Sequence, residues 1–309
     1  MQMLSKEEKL KFVEGIRIIH PQFQKAMRYI EEAHHESSYT TDPLSLLIFG
    51  NSGCGKTTLF ETYIKKHDQV TNTVVDGIRS TNRVILHASI PSPATHVTVT
   101  ERLLKQLGDP YPSKGTVGQK DLRLVNLIKS NKVQLIMLDE IQHFIDKDKE
   151  KVIHKVSDWF KSLINQTRVP VVLFGLEEAQ QVLDANEQLS RRFPVRMNIK
   201  PFGFKSPKEI EEFRRLMHEI DQQLCKVFTK PSLLGDEEMC ERMFYATNGS
   251  IDSIMKLIRR SAKEVIERDG ECIDLMDLAR AYERYTHVKM DKAVNPFVIE
   301  HFSLSKFSA

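Results

Sequence analysis

Eight residues, Gly50-Asn51-Ser52-Gly53-Cys54-Gly55-Lys56-Thr57, constrain this chain more than any other feature. They follow a short apolar run, Leu44 to Phe49, and precede a helical pattern, Thr57 to Lys66. Glycines at this spacing let backbone N–H groups curl round a phosphate chain with no Cβ in the way. The helix beginning near Lys56 adds unsatisfied N–H groups and a positive dipole end. Strand, loop and helix in this order predict a phosphate-binding unit rather than a chance glycine-rich turn. Lys56 is expected to reach the β- and γ-phosphates of ATP, and Thr57 to place its hydroxyl on Mg²⁺. The expected nucleotide contacts run from Gly50 to Thr58.

A matching partner lies downstream at Leu135-Ile136-Met137-Leu138-Asp139-Glu140. Four apolar residues make a buried strand, and a carboxylate pair sits at its C-terminal end, where open α/β sheets bind ligands. Asp139 is expected to hold Mg²⁺ through its water shell. Glu140 is expected to polarise the attacking water as a general base. A kinase of small molecules needs an acceptor site instead, so adjacent Asp and Glu point to hydrolysis.

Further short apolar strands are predicted at Arg83 to Ala88, Val169 to Phe174 and Val195 to Ile199, separated by helical segments. These segments are Thr98 to Leu107, Gln119 to Ser130, Lys149 to Gln166 and Glu177 to Asn186. The alternation predicts an α/β fold with a mainly parallel sheet covered on both faces. A strand between the two phosphate-site motifs predicts the sheet order 5-1-4-3-2. After Pro201 only helical patterns remain, at about 208 to 228, 235 to 246, 250 to 268 and 274 to 285. The expected organisation is an N-terminal helical extension (1–36), a nucleotide-binding domain (37–204), a helical lid (205–288) and a tail (289–309). The tail's apolar residues either pack back or serve as a hook for a partner.

Composition excludes some classes. The formal charge is only +3, so any nucleic-acid site must be a local patch. The four cysteines form no C-x-x-C pair, which argues against a structural zinc site. No apolar run is long enough to span a membrane, and the N-terminus has no apolar signal core. A reduced, cytoplasmic setting is expected.

Beyond the two motifs, Leu176 stands where ATPases of this type often carry a polar residue that senses the γ-phosphate. Its side chain cannot hydrogen-bond, and Gln142 or Glu177 is a candidate substitute. Arg191 and Arg192 follow a helical segment, and one of them, Arg191 by preference, is expected to face a neighbouring subunit's nucleotide. In the lid, Arg259 and Arg260 read as a solvated helix face, with Arg259 as a nucleotide sensor the alternative. Lys105, Lys114, Lys120 and Arg123, among glycines and prolines, form a candidate contact for DNA backbone. Lys147, Lys149, Lys151 and Lys155 form a second, less convincing cluster because acidic residues interleave with them.

Together Gly50 to Thr57, Leu135 to Glu140, Leu173-Phe174-Gly175, Leu189-Ser190-Arg191-Arg192-Phe193 and Thr247-Asn248-Gly249 resemble the TniB/TnsC branch of the AAA+ ATPases. These are target-selection regulators of Tn7-like transposons, including CRISPR-associated ones. The resemblance covers roughly residues 15 to 285 and matches the short, TniB-like form. It implies ATP-dependent assembly on duplex DNA into a ring or helical filament with hexamer-like or heptamer-like turns. It implies contact with a TniQ-type adaptor and recruitment of a DDE transposase in a prokaryotic cytoplasm. It places Lys56 and Thr57 at the phosphate loop, Asp139 and Glu140 at the hydrolytic pair, and Arg191 or Arg192 at the neighbour-facing position. Leu176 and Ser253 depart from common sensor patterns, which implies slow, assembly-dependent hydrolysis. Two other readings stand beside it. One is a replication initiator or helicase loader. The other is a signalling or scaffold ATPase that assembles without DNA.

Overall fold

The computed structural model describes residues 4–37, 39–40, 42–75, 78–145, 150–285 and 294–307. In chain order the elements are α1 (Lys6–Gly15), α2 (Pro21–Glu36), β1 (Leu46–Phe49), α3 (Lys56–His67), β2 (Val70–Val75), β3 (Ile78–Arg83) and β4 (Ile85–Ser89). Then come α4 (His96–Gln106), α5 (Val117–Ser130), β5 (Leu135–Asp139), α6 (Glu150–Thr167), β6 (Val171–Gly175), α7 (Gln180–Asp184), α8 (Glu187–Ser190) and β7 (Val195–Asn198). The last helices are α9 (Pro207–Leu224), α10 (Glu237–Thr247), α11 (Ile251–Glu267) and α12 (Leu275–Tyr285).

The chain divides into two compact units, residues 21–199 and residues 1–20 with 200–309. In the first, five strands form a sheet in the order β4-β5-β6-β1-β7, parallel at every pairing. Counted along the five core strands, this is the predicted 5-1-4-3-2. The alternation of side chains along each strand decides the layers. Leu47, Ile136, Leu138, Val171 and Leu173 enter one core with α4 to α8. Leu46, Ile48, Leu135, Met137, Val172 and Phe174 enter the opposite core with α2 and α3. Both faces are covered, so the central strands are apolar up to their C-terminal residues, Asp139 in β5 and Gly175 in β6.

Two local departures have physical causes. β2 and β3 pair antiparallel as a separate two-stranded sheet, with Val75 opposite Ile78. Their Thr, Asn and Ser residues break up the apolar pattern, so the sequence carries little strand signal here. The segment expected as one helix from Glu177 to Asn186 is instead a 3₁₀ turn, Glu177–Ala179, and the short α7, with α8 starting after it. Asn186 restarts the helix because its side chain accepts a hydrogen bond from the Leu189 N–H at 3.1 Å.

In the second unit, α9 opens on a capping box between Ser206 and Glu209 with Pro207 in its first turn. Phe213, Met217 and Ile220 of α9 share a core with Ile254, Ile258 and Val265 of α11 and with Leu278 of α12. The N-terminal stretch is divided: α1 belongs to this unit and α2 to the sheet unit. Val13 and Ile16 enter the helical core. Arg259 is not a solvated residue. Its guanidinium donates to the Ile16 carbonyl at 3.2 Å and lies 3.6 Å from Glu14.

The tail lies on this unit as well. Arg242 of α10 is 3% exposed, and its guanidinium donates to the Pro296 carbonyl and to Glu238. The Phe302 N–H donates to Glu238 at 3.2 Å and the Leu304 N–H to Glu241 at 2.7 Å. Phe297 and Phe302 are buried, and Phe307 stacks on Phe302.

His20 is buried against the edge of Phe202, with ring centroids 5.2 Å apart. Burial draws its imidazole down to about 4. The unfolded chain therefore takes up the proton first as pH falls. Stability from this group is complete above the ordinary histidine value near 6.5 and is lost toward about 4. The slope reaches about 1.4 kcal/mol per pH unit. His34, His67, His87 and His96 of the sheet unit are lowered by burial too and act in the same direction. Thermal unfolding between neutral pH and about pH 4.5 should show this acid loss, and His20→Phe should lessen it.

Candidate functional site

The site grows from the C-terminal ends of β1, β6 and β5. β1 runs into the phosphate loop, and the Gly50 N–H donates to the Gly175 carbonyl at 3.2 Å. Gly55 precedes α3 with φ +86°, a conformation that disfavours a side chain. The Lys56 side chain folds back under the loop. Its Nζ donates to the carbonyls of Gly50 and Asn51, each at 2.8 Å. Lys56 is buried, and burial lowers its ammonium below the ordinary value, against the pull of Cys54, Asp139 and Glu140. Cys54 is buried and its thiol is raised, so it serves the loop as an inert small residue.

Asp139 ends β5 and is 3% exposed. Its Oδ2 accepts the Thr57 hydroxyl at 3.0 Å and its Oδ1 accepts the Glu140 N–H at 2.8 Å. Burial raises its carboxyl, while those two hydrogen bonds and Lys56 act the other way. The two residues expected at the metal, far apart in sequence, thus meet directly. A hydroxyl and a carboxylate are the hard oxygen donors that Mg²⁺ selects, so the pair fits that ion.

Glu140 follows with φ +64°, a left-handed turn rare for a side-chain-bearing residue. The turn leads into a 3₁₀ segment, Ile141–Phe144. Gln142 donates its amide N–H to Glu140 Oε2, and its Oε1 accepts the Leu176 N–H at 3.0 Å. His143 Nε2 lies 4.0 Å from Glu140 Oε2, and its Nδ1 is 2.8 Å from the Ile90 carbonyl. The Gln142 link was legible only as one of two candidates. Nothing in the sequence pointed to His143.

The two arginines differ. Arg191 is exposed and pairs with Glu187 one turn back on α8. Arg192 is mostly buried and pairs with Asp42, while its carbonyl accepts the Ser45 N–H at 2.9 Å. Arg192 is thus built into the entry to β1, and Arg191 is the member that faces outward.

The four basic residues also divide. Lys120 is 8% exposed and pairs with Glu101 at 2.6 Å. Arg123 pairs with Asp109 at 3.0 Å and donates to the carbonyls of Tyr111 and Lys114. Lys120 ties α5 to α4 and Arg123 ties the 108–116 loop to α5, so both are engaged inside the fold. Lys105 and Lys114 are exposed, and the Lys114 ammonium sits 4.3 Å from the centre of the exposed Tyr111 ring. Lys147 and Lys149 lie outside the described residues.

The sequence matches the family described as Bacterial TniB protein over residues 9–201. No curated protein matches the chain. Among solved structures it is similar to the ORC1 protein of Aeropyrum pernix in complex with DNA, at 14% identity and TM-score 0.57, covering 89% of this chain and 69% of that one. It is similar to CDC6P from Pyrobaculum aerophilum, at 12% identity and TM-score 0.59, covering 85% and 67%. It is also similar to domain III of the Thermotoga maritima replication initiation protein DnaA, at 15% identity and TM-score 0.51, covering 89% and 97%. At these identities the likeness is one of fold. Among the described residues no helix is long and apolar enough to cross a membrane.

The division of the basic residues gives a stability test. Lys120→Ala strands Glu101 and should lower unfolding stability by about 1–2 kcal/mol. Lys114→Ala should stay within about 0.5 kcal/mol of the parent in the same denaturant titration.

Proposed function

The chain belongs to the bacterial TniB family and is an AAA+ ATPase, and on that premise we propose that it is a DNA-dependent regulator of transposition. It binds duplex DNA largely without sequence preference, assembles with ATP into a ring or filament, and links a TniQ-type adaptor to a DDE transposase. The observation that carries this reading is the meeting of Thr57 with Asp139, beside Lys56 and Glu140, in a chain of this family.

The residues take distinct roles. Backbone N–H groups from Gly50 to Thr58 cradle the phosphates. Lys56 leaves the loop carbonyls for the β- and γ-phosphates, a change its burial favours because the phosphates supply full negative charge. Thr57 and Asp139 would hold Mg²⁺, which when bound neutralises phosphate oxygens. Glu140 orients the attacking water and takes up its proton. Arg191, outward at the end of α8, stabilises charge on the phosphoryl group of a neighbouring subunit's nucleotide, so hydrolysis follows assembly. Lys105 and Lys114 contact DNA phosphates; each contact is weak alone and adds along an assembly. The compartment is the bacterial cytoplasm, in association with DNA.

The likeness to replication initiators is a likeness of fold and favours no initiator role here. A scaffold ATPase would assemble equally with and without DNA, and the test separates the two. Negative-stain electron microscopy with duplex DNA should show rings or filaments with a non-hydrolysable ATP analogue and none with ADP. Assemblies indifferent to DNA would replace this reading with the scaffold one. Glu140→Gln should keep nucleotide binding, slow turnover by about 10²–10⁴-fold and stabilise assemblies. Replacing Lys105 and Lys114 together should reduce the salt dependence of DNA affinity, by about one unit of slope for each lysine–phosphate pair removed.

A further inference from the structure

The end of β6 is where an ATPase of this fold can register what occupies the phosphate loop. β6 lies between β1 and β5, and its last residue, Gly175, accepts the N–H of Gly50 at the start of the loop. The next side chain, Leu176, has no polar atom. Its backbone N–H does have a partner, the Gln142 Oε1 at 3.0 Å.

That contact fixes more than distance. A backbone N–H can only donate, so the Gln142 atom facing it must be the carbonyl oxygen. The amide nitrogen is then turned toward Glu140, where it donates to Oε2. Both ends of one planar amide are therefore committed, one to the end of β6 and one to the hydrolytic carboxylate. The approach depends on Gly175, where a Cβ would come within 2.4 Å of Ile141 Cγ2 and 2.9 Å of Gln142 Oε1. The left-handed turn at Glu140 sets the direction in which Gln142 leaves β5.

We propose that Gln142 is a positioning residue for hydrolysis, relaying the position of the β6 end to the direction of the Glu140 carboxylate. The inference rests on Glu140 as the base. The Leu176 N–H, acting through Gln142, takes the place of a polar side chain at the end of β6. Gln142 holds Oε2 and so presents the remaining carboxylate oxygen in a fixed direction. A change of strand position at the phosphate loop is passed to the base through a single rigid group.

Single-turnover ATP hydrolysis by the full chain, with duplex DNA present, tests this alongside binding of a fluorescent ATP analogue and thermal unfolding. Gln142→Ala should slow hydrolysis about tenfold or more, with nucleotide affinity and unfolding temperature unchanged. Gln142→Glu keeps an oxygen for the Leu176 N–H but sets a second carboxylate against Glu140. It should hydrolyse as slowly as the alanine variant. Wild-type turnover in either variant, with Glu140→Gln inactive, would overturn the relay and leave the base assignment standing. Wild-type turnover in Glu140→Gln would overturn both. Loss of affinity and unfolding temperature in step with turnover, in both Gln142 variants, would mark Gln142 as structural and overturn the relay.

Discussion

Everything at the site depends on β6 being pinched between β1 and β5. Parallel pairing brings the C-terminal ends of all three strands to one edge of the sheet. The ends must then come close enough for short side chains to meet across an intervening strand. The bare Cα of Gly175 permits that approach, since any Cβ would collide with Ile141. From this crowding follow the contact of Gly50 with Gly175, the hydrogen bond between Thr57 and Asp139, and the place of Gln142 between Glu140 and Leu176.

The electrostatics follow from the same crowding. Lys56 and Asp139 are both buried, and burial disfavours the charged form of each. The protein compensates with fixed dipoles: loop carbonyls for the ammonium, and a hydroxyl and a backbone N–H for the carboxylate. Thr57 and Asp139 are thus held against one another before any ligand arrives. The stability cost of the buried charges is offset by two apolar layers, one on each face of the sheet.

The remaining basic residues show how misleading charge in a sequence can be. Lys120 reads as a DNA contact beside glycines, yet on α5 it falls at an inward position and pairs with Glu101. Arg123 sits one turn on and closes the preceding loop through Asp109 and two carbonyls. Arg259 reads as solvated and instead anchors the end of α1. In each case the partner is distant in sequence or set by a loop, so local pattern could not find it.

The sequence by itself determined the five strands of the main sheet and their order, but not the β2–β3 pair. Short continuous apolar runs alternating with helical patterns suit parallel strands buried on both faces. It also carried the family, through motifs that are contiguous and therefore readable. Tertiary structure alone decided which charged side chains face inward and that Arg191 rather than Arg192 is presented outward. It divided the N-terminal helices between two units, laid the tail on α10 and joined Gln142 to both Glu140 and Leu176. Those outcomes depend on distances between elements, and periodicity along a chain records which face a residue takes but not what it meets there.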